Sequence, residues 1–201
     1  MSNTSSPATG TRDSIIRVSV SLFARTGYDG VSMRDIAKHV GISAATLYHH
    51  FPNKEALYLG AIAGAFADKA QAISETAGAG ATPRARLEAF VDRFTSLMAK
   101  DPDFRLLLQR ELIDGDETRL RMVAEQVFRE PFTIISSLSR ELDPDCDPHM
   151  LAISMAGLIL FHLETAPVRR FLPGMRKEHD SPATVAAHVK RLLSRALLLT
   201  E

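Results

Sequence analysis

A short stretch of this chain concentrates side chains that hold phosphate and read base edges. Ser32, Arg34, Ser43, Thr46, Tyr48, His49, His50 and Lys54 supply hydroxyl, imidazole and cationic donors. Groups of this kind hydrogen-bond phosphate oxygens, and a threonine such as Thr46 can also address a base. Ala44 and Ala45 add methyl groups that fit against a thymine methyl. No residue from Ala44 to His49 is acidic. The histidines do not suggest a metal. His49 and His50 are neighbours, so on a helix they diverge by about 100°. His162 and Glu164 diverge too. The single cysteine, Cys146, excludes an intramolecular disulfide and an all-cysteine zinc site. The chain has no Gly-rich phosphate loop, no G-x-S-x-G and no H-E-x-x-H, so nothing nominates an enzyme and no cofactor is expected.

Helices must position these groups. Ser32-Met33-Arg34-Asp35 is an S-x-x-D start signal with Ser32 as N-cap, and Gly41 ends the helix it opens. Ser43 starts a second helix after only Gly41, Ile42 and Ser43, and Pro52 closes it. Two short helices, Ser32–Val40 and Ala44–His50, joined by a tight Gly-containing turn form a helix-turn-helix. Ile36, Val40, Leu47 and Phe51 are the apolar positions that brace the second helix on the first. Its outer face, Ala44, Ala45, Thr46, Tyr48 and His49, is then free to enter a major groove.

Around this unit the sequence reads as all-α, with no sustained period-2 stretch. Residues 1–11 are a Ser/Thr/Gly/Pro-rich arm. A first helix is expected over Thr11–Thr26 and, after the Asn53 cap, another over Lys54–Ala77. Gly78-Ala79-Gly80-Ala81-Thr82-Pro83 is the clearest punctuation. Further helices are expected at Pro83–Lys100, Asp103–Asp114, Glu117–Leu142 (kinked or split at Pro131), Pro148–Ala166 and Pro182–Leu199, about nine in all. The connection Pro167–Ser181 reads as a long loop with a solvated basic run, Arg169, Arg170, Arg176 and Lys177.

Composition sets the outer bounds. With 201 residues and 45% hydrophobic content, the chain can bury a core unaided. Lys+Arg and Asp+Glu are both 24, which excludes a uniformly basic nucleic-acid coat. Residues 1–60 nonetheless carry six basic against four acidic residues, a weak positive bias suited to two copies acting together. The longest nearly apolar run, Leu151–Leu163, is too short for the roughly 20 residues of a membrane span. A soluble, cytoplasmic protein is expected.

Residues 21–57, SLFARTGYDGVSMRDIAKHVGISAATLYHHFPNKEAL, resemble the N-terminal domain of TetR-type (tetracycline-repressor-like) transcriptional regulators. The matching parts are Phe23, Gly27-Tyr28, Ser32 to Ala37, Gly41-Ile42-Ser43, Thr46 to Phe51 and Asn53-Lys54-Glu55. The resemblance implies a homodimer that binds a near-palindromic double-stranded DNA operator, usually as a repressor, and releases it when a small molecule binds the C-terminal part. It places Ser32, Arg34, Thr46, Tyr48, His49 and Lys54 where family members touch DNA. Ala44 departs from the pattern, since a polar or basic residue often stands there, and leaves only van der Waals contact.

The implied plan is a DNA-binding domain over 1–58 and a helical ligand-binding and dimerisation domain over 59–201. In that plan the helices near 148–166 and 182–199 pair with their symmetry mates. The first of these is apolar nearly all round (Leu151, Ile153, Met155, Leu158, Ile159, Leu160, Phe161, Leu163), so it needs cover on two sides. Phe90, Phe94, Met98, Phe104, Leu108, Phe128, Met155 and Phe161 are candidates for lining a cavity for an apolar inducer, with Arg110, Glu111 and His162 as polar anchors. A helical protein–protein module, or an all-helical enzyme acting on a small apolar molecule, is the alternative.

Overall fold

The computed structural model describes residues 7–76 and 82–197. Among these the chain is helical throughout, with no strand. The Gly78–Ala81 punctuation and the end of the last expected helix lie outside the described residues. The chain divides into two compact units. The first combines residues 1–67 with 102–127, and the second combines 68–101 with 128–201. This division by packing differs from the motif boundary at 58/59, because helices from beyond residue 100 are built into the first unit.

In the first unit, α1 (Pro7–Thr26), α2 (Met33–Val40) and α3 (Ala44–His50) are joined by α6 (Pro102–Asp114) and α7 (Glu117–Val123). Helix α4 (Lys54–Thr76) begins in this unit. Ile15, Phe23, Ile36, Leu47, Leu57, Tyr58 and Ile62 are shut away from solvent and form its core. Helix α6 packs along α1. Its Arg110 caps the end of α1, donating from Nε to the Ala24 carbonyl (2.5 Å) and from Nη2 to that of Arg25 (2.9 Å). Those carbonyls have no partner within their own helix. Beside them Tyr58 donates to Glu111 (2.5 Å), and the Arg119 Nε donates to both Glu111 oxygens (3.2 and 3.3 Å). Burial, and then the hydrogen bond to Glu111, push the Tyr58 phenol far above its ordinary value.

In the second unit, α5 (Pro83–Lys100), α8 (Arg129–Leu142), α9 (Pro148–Glu164) and α11 (Pro182–Ala196) pack on one another. Leu87, Phe90, Val91, Met98, Met155, Ile159 and Val189 make the core. The segment expected as one helix over 117–142 is broken, but upstream of the proline. Ala124–Phe128 is a π-helical turn between α7 and α8. Pro131 has no N–H for the carbonyl four residues back, and its ring crowds that carbonyl. The chain widens one turn early to accommodate both. The connection after α9 holds more structure than expected: α10 (Ala166–Arg169) and a 3₁₀ turn at Lys177–Asp180.

Candidate nucleic-acid interface

Local hydrogen bonds fix each end of the helix-turn-helix. The Ser32 hydroxyl accepts from the Asp35 amide (3.1 Å), and the Asp35 carboxylate accepts from the Ser32 amide (3.1 Å), closing a capping box. The Ser32 hydroxyl and amide hold the Asp35 carboxyl below its usual value. Helix α2 stops at Gly41, whose φ of +79° is a left-handed conformation that only glycine adopts without strain. The Gly41 and Ile42 amides both reach back to the Ala37 carbonyl (3.0 Å each). Ser43 then caps α3, its hydroxyl accepting from the Thr46 amide (3.0 Å). The Phe51 amide closes α3 on the Leu47 carbonyl (2.9 Å). Another glycine serves the preceding turn: a side chain at Gly30 would collide with the Thr26 carbonyl.

This framework sorts the side chains by face. Ile36, Ala37, Leu47 and Phe51 are buried beneath the turn. Ala45, Thr46, Tyr48 and His49 are exposed along α3, Tyr48 by 50%, and Ala44 is half-buried. Ser32, Arg34 and Ser43 are exposed, and Lys54 is half-buried with its ammonium 4.3 Å from the centre of the Tyr28 ring. Val40, expected as a brace, is only half-buried, whereas Met33 is buried in α2. Ser32, Arg34, Tyr48 and Lys54 line one open groove, together with Asp29 and Asp35. Asp35 is engaged in the capping box, where the Ser32 hydroxyl also donates to its carboxylate (2.5 Å). The Thr46 hydroxyl lies 2.8 Å from that of Ser43.

The residues nominated for an effector cavity are placed less simply. Phe104, Leu108, Arg110 and Glu111 fall in the first unit, and the other seven of the nominated residues in the second. Phe90, Phe94, Met98, Phe104 and Met155 are buried core, with Phe90 and Phe94 stacked at 5.3 Å. Leu108 and Phe128 are half-buried. Phe90 also borders a hollow of about 270 Å³ between Arg86, Glu141 and the α8 side chains Ile134 and Leu138. Glu111 and Arg110, nominated as polar anchors, are committed instead to Tyr58, Arg119 and the end of α1. Phe161 points to solvent, 69% exposed. His162 is half-buried against His188, ring centres 5.3 Å apart. Sequence reasoning missed the Tyr58–Glu111–Arg119 cluster, in which Tyr58 lies more than fifty residues before the other two along the chain.

Residues 15–61 match the family model described as bacterial regulatory proteins, tetR family. Among curated proteins, the chain is 47% identical over 47 residues to the negative transcriptional regulator IcaR of the biofilm operon icaADBC from Staphylococcus epidermidis. That match covers 23% of this chain, and it spans 25% of the relative's length. Solved structures share the fold over nearly the whole chain. The transcriptional regulator FadR from Bacillus subtilis, in complex with stearoyl-CoA, superposes with a TM-score of 0.73 at 20% identity, covering 90% of this chain and 96% of that one. AibR, in complex with isovaleryl coenzyme A and operator DNA, superposes with a TM-score of 0.69 at 21% identity, covering 90% and 97%.

Proposed function

Residues 15–61 belong to the tetR family of bacterial regulatory proteins, and from that premise we propose that the chain is a dimeric, ligand-responsive transcriptional regulator acting as a repressor. It is not an enzyme in this reading. The observation that carries it is the outward face of α3. Thr46, Tyr48 and His49 stand clear of a framework that buries Leu47 beneath them, beside a groove edged by Ser32, Arg34 and Lys54. Thr46 and the Ala44 and Ala45 methyls read base edges, and Ser32, Arg34, Ser43, Tyr48, His49 and Lys54 hold phosphates. Residues 1–58 form the DNA-binding part, and 59–201 carry the effector site and the dimer contact.

The second copy is argued from α9. Its stripe Ala152, Met155 and Ile159 is buried, while Met150, Ile153 and Phe161 form an exposed apolar stripe on another side. Leu192 on α11 is exposed as well. A helix apolar on two sides needs cover on both. A symmetric partner supplies it and brings two α3 helices to one operator, where half-sites lie about 34–36 Å apart. The small-molecule complexes of FadR and AibR support an effector for this chain. Its binding would release DNA by favouring one of two arrangements of the dimer, and a coupling of about 1–3 kcal/mol changes affinity 5- to 150-fold.

The test is to capture genomic DNA fragments with the pure protein and sequence them. Fragments sharing an inverted repeat with half-sites one DNA turn apart are expected. Capture without a common sequence, or no capture, overturns the reading.

A further inference from the structure

The second unit carries a concavity of about 560 Å³ between the segment after α9 and the flank of α11. That is within the roughly 300–1,000 Å³ of small-molecule sites. His162, Arg169, Arg176, His179, His188 and Arg191 all line it. Ala183, Val185 and Ala187 give it a small, apolar wall. Three guanidiniums and three imidazoles thus share one hollow in a chain whose formal charge is zero.

Two of the three guanidiniums already have a carboxylate partner, and the third does not. Asp180 is held by the Arg169 Nη2 (2.9 Å), and the exposed Glu178 lies 3.4 Å from the Arg176 Nε. Among the described residues no carboxylate pairs with Arg191. Arg169 also spans the connection, donating to the carbonyls of His162 and His179 (2.9 Å each). Its Nε is buried with no partner. A buried unpaired N–H costs free energy until something accepts from it. The His179 Nδ1 accepts from the Arg176 amide (3.2 Å), which leaves the His179 Nε2 as the protonated donor. Desolvation, then His188 and then Arg169, hold the His162 imidazole below its ordinary value. An acceptor in the hollow would satisfy the Arg169 Nε, and a negative charge there would offset the repulsion that His188 and Arg169 exert on a protonated His162.

We propose that this concavity binds a small phosphate ester, its oxyanion held by Arg176, Arg191 and the imidazoles and its organic part resting on the wall at Val185. Guanidinium forks match phosphate geometry, and a phosphate offers several acceptor oxygens to the Arg176, Arg191 and imidazole donors at once. Binding does not depend on the DNA-binding reading. Only its consequence, that the ester acts as the effector, rests on it.

The probe is pyrophosphate, titrated calorimetrically into the full chain without DNA. Acetate serves as the carboxylate comparison, and the histidine ring signals are followed by nuclear magnetic resonance. Saturable binding at one site per chain is expected, tighter than acetate, with the His162 and His188 rings shifting together. Arg191→Gln and Arg176→Gln should each weaken it about tenfold, with an unchanged circular dichroism spectrum. Absence of saturation, equal affinity for acetate, or unchanged affinity in both variants overturns the proposal. Displacement of pyrophosphate by non-operator duplex DNA would assign the hollow to the DNA backbone and overturn it also.

Discussion

Thr46, Tyr48 and Lys54 occupy neighbouring positions, and the proposed docking gives them different tasks. The Lys54 ammonium and the Tyr48 hydroxyl have the chemistry for backbone phosphate, whereas Thr46 faces out from the first turn of α3. Replacing Tyr48 or Lys54 by alanine should weaken binding on all sequences alike, and Lys54→Ala should lower the magnitude of the salt slope by about one. Thr46→Ala should change the preferred base at one position by about 1 kcal/mol. Gel shifts on operator variants at several salt concentrations separate the two patterns, and normal binding by Tyr48→Ala/Lys54→Ala would refute the docking pose. The buried cluster offers a test of stability. Tyr58→Phe removes the hydrogen bond to Glu111 while leaving Arg119 in place, and should cost about 2 kcal/mol in denaturant unfolding. At this scale the exposed face of α3 was legible, because caps and turn lie next to each other in the chain. Glu111 was not, since a lone acid in an apolar stretch looks the same whether it anchors a ligand or joins a buried pair of distant residues.

Elements followed their local signals closely where those signals were strong. The expected spans of α2 and α3 agree with those observed, because Ser32, Gly41, Ser43 and Pro52 punctuate them unambiguously. Between Glu117 and Leu142 the proline did announce a break. Its position was misjudged, since the backbone responds one turn before Pro131, at Ala124–Phe128. The basic run after α9 read as solvated, and Arg170, Arg176 and Lys177 are exposed, whereas Arg169 is half-buried and with Arg176 borders the hollow beside α11. Gly41→Ala tests the turn itself. A left-handed alanine costs about 1–2 kcal/mol, so thermal unfolding should shift downward and operator affinity should fall with it. An unchanged melting temperature would mean that the turn relaxes freely.

For the whole molecule, charge and apolar surface act together. A monomer with a nearly neutral DNA-binding part has little electrostatic reach, and pairing doubles the phosphates it can engage. Phe161→Glu sets a charge at the C-terminal end of the exposed α9 stripe without touching the core. It should convert a dimer to a monomer in sedimentation velocity and abolish operator binding, with the helix content retained. A persistent dimer would move the interface elsewhere. A helix with too much apolar surface for one neighbour was legible in the sequence, and the proposed second copy rests on it. The packing of α6 on α1 was not legible, because it depends on contacts across some eighty residues of sequence.

Arg110 has an implication for transplantation. The carbonyl end of α1 is satisfied by a guanidinium that arrives from far down the chain. A reader head cut off at residue 58 and spliced to a foreign effector body would leave that helix end without its cap. Hybrid regulators built from this chain should therefore carry residues 102–127 along with the head, and swaps that honour only the motif boundary should yield unstable proteins.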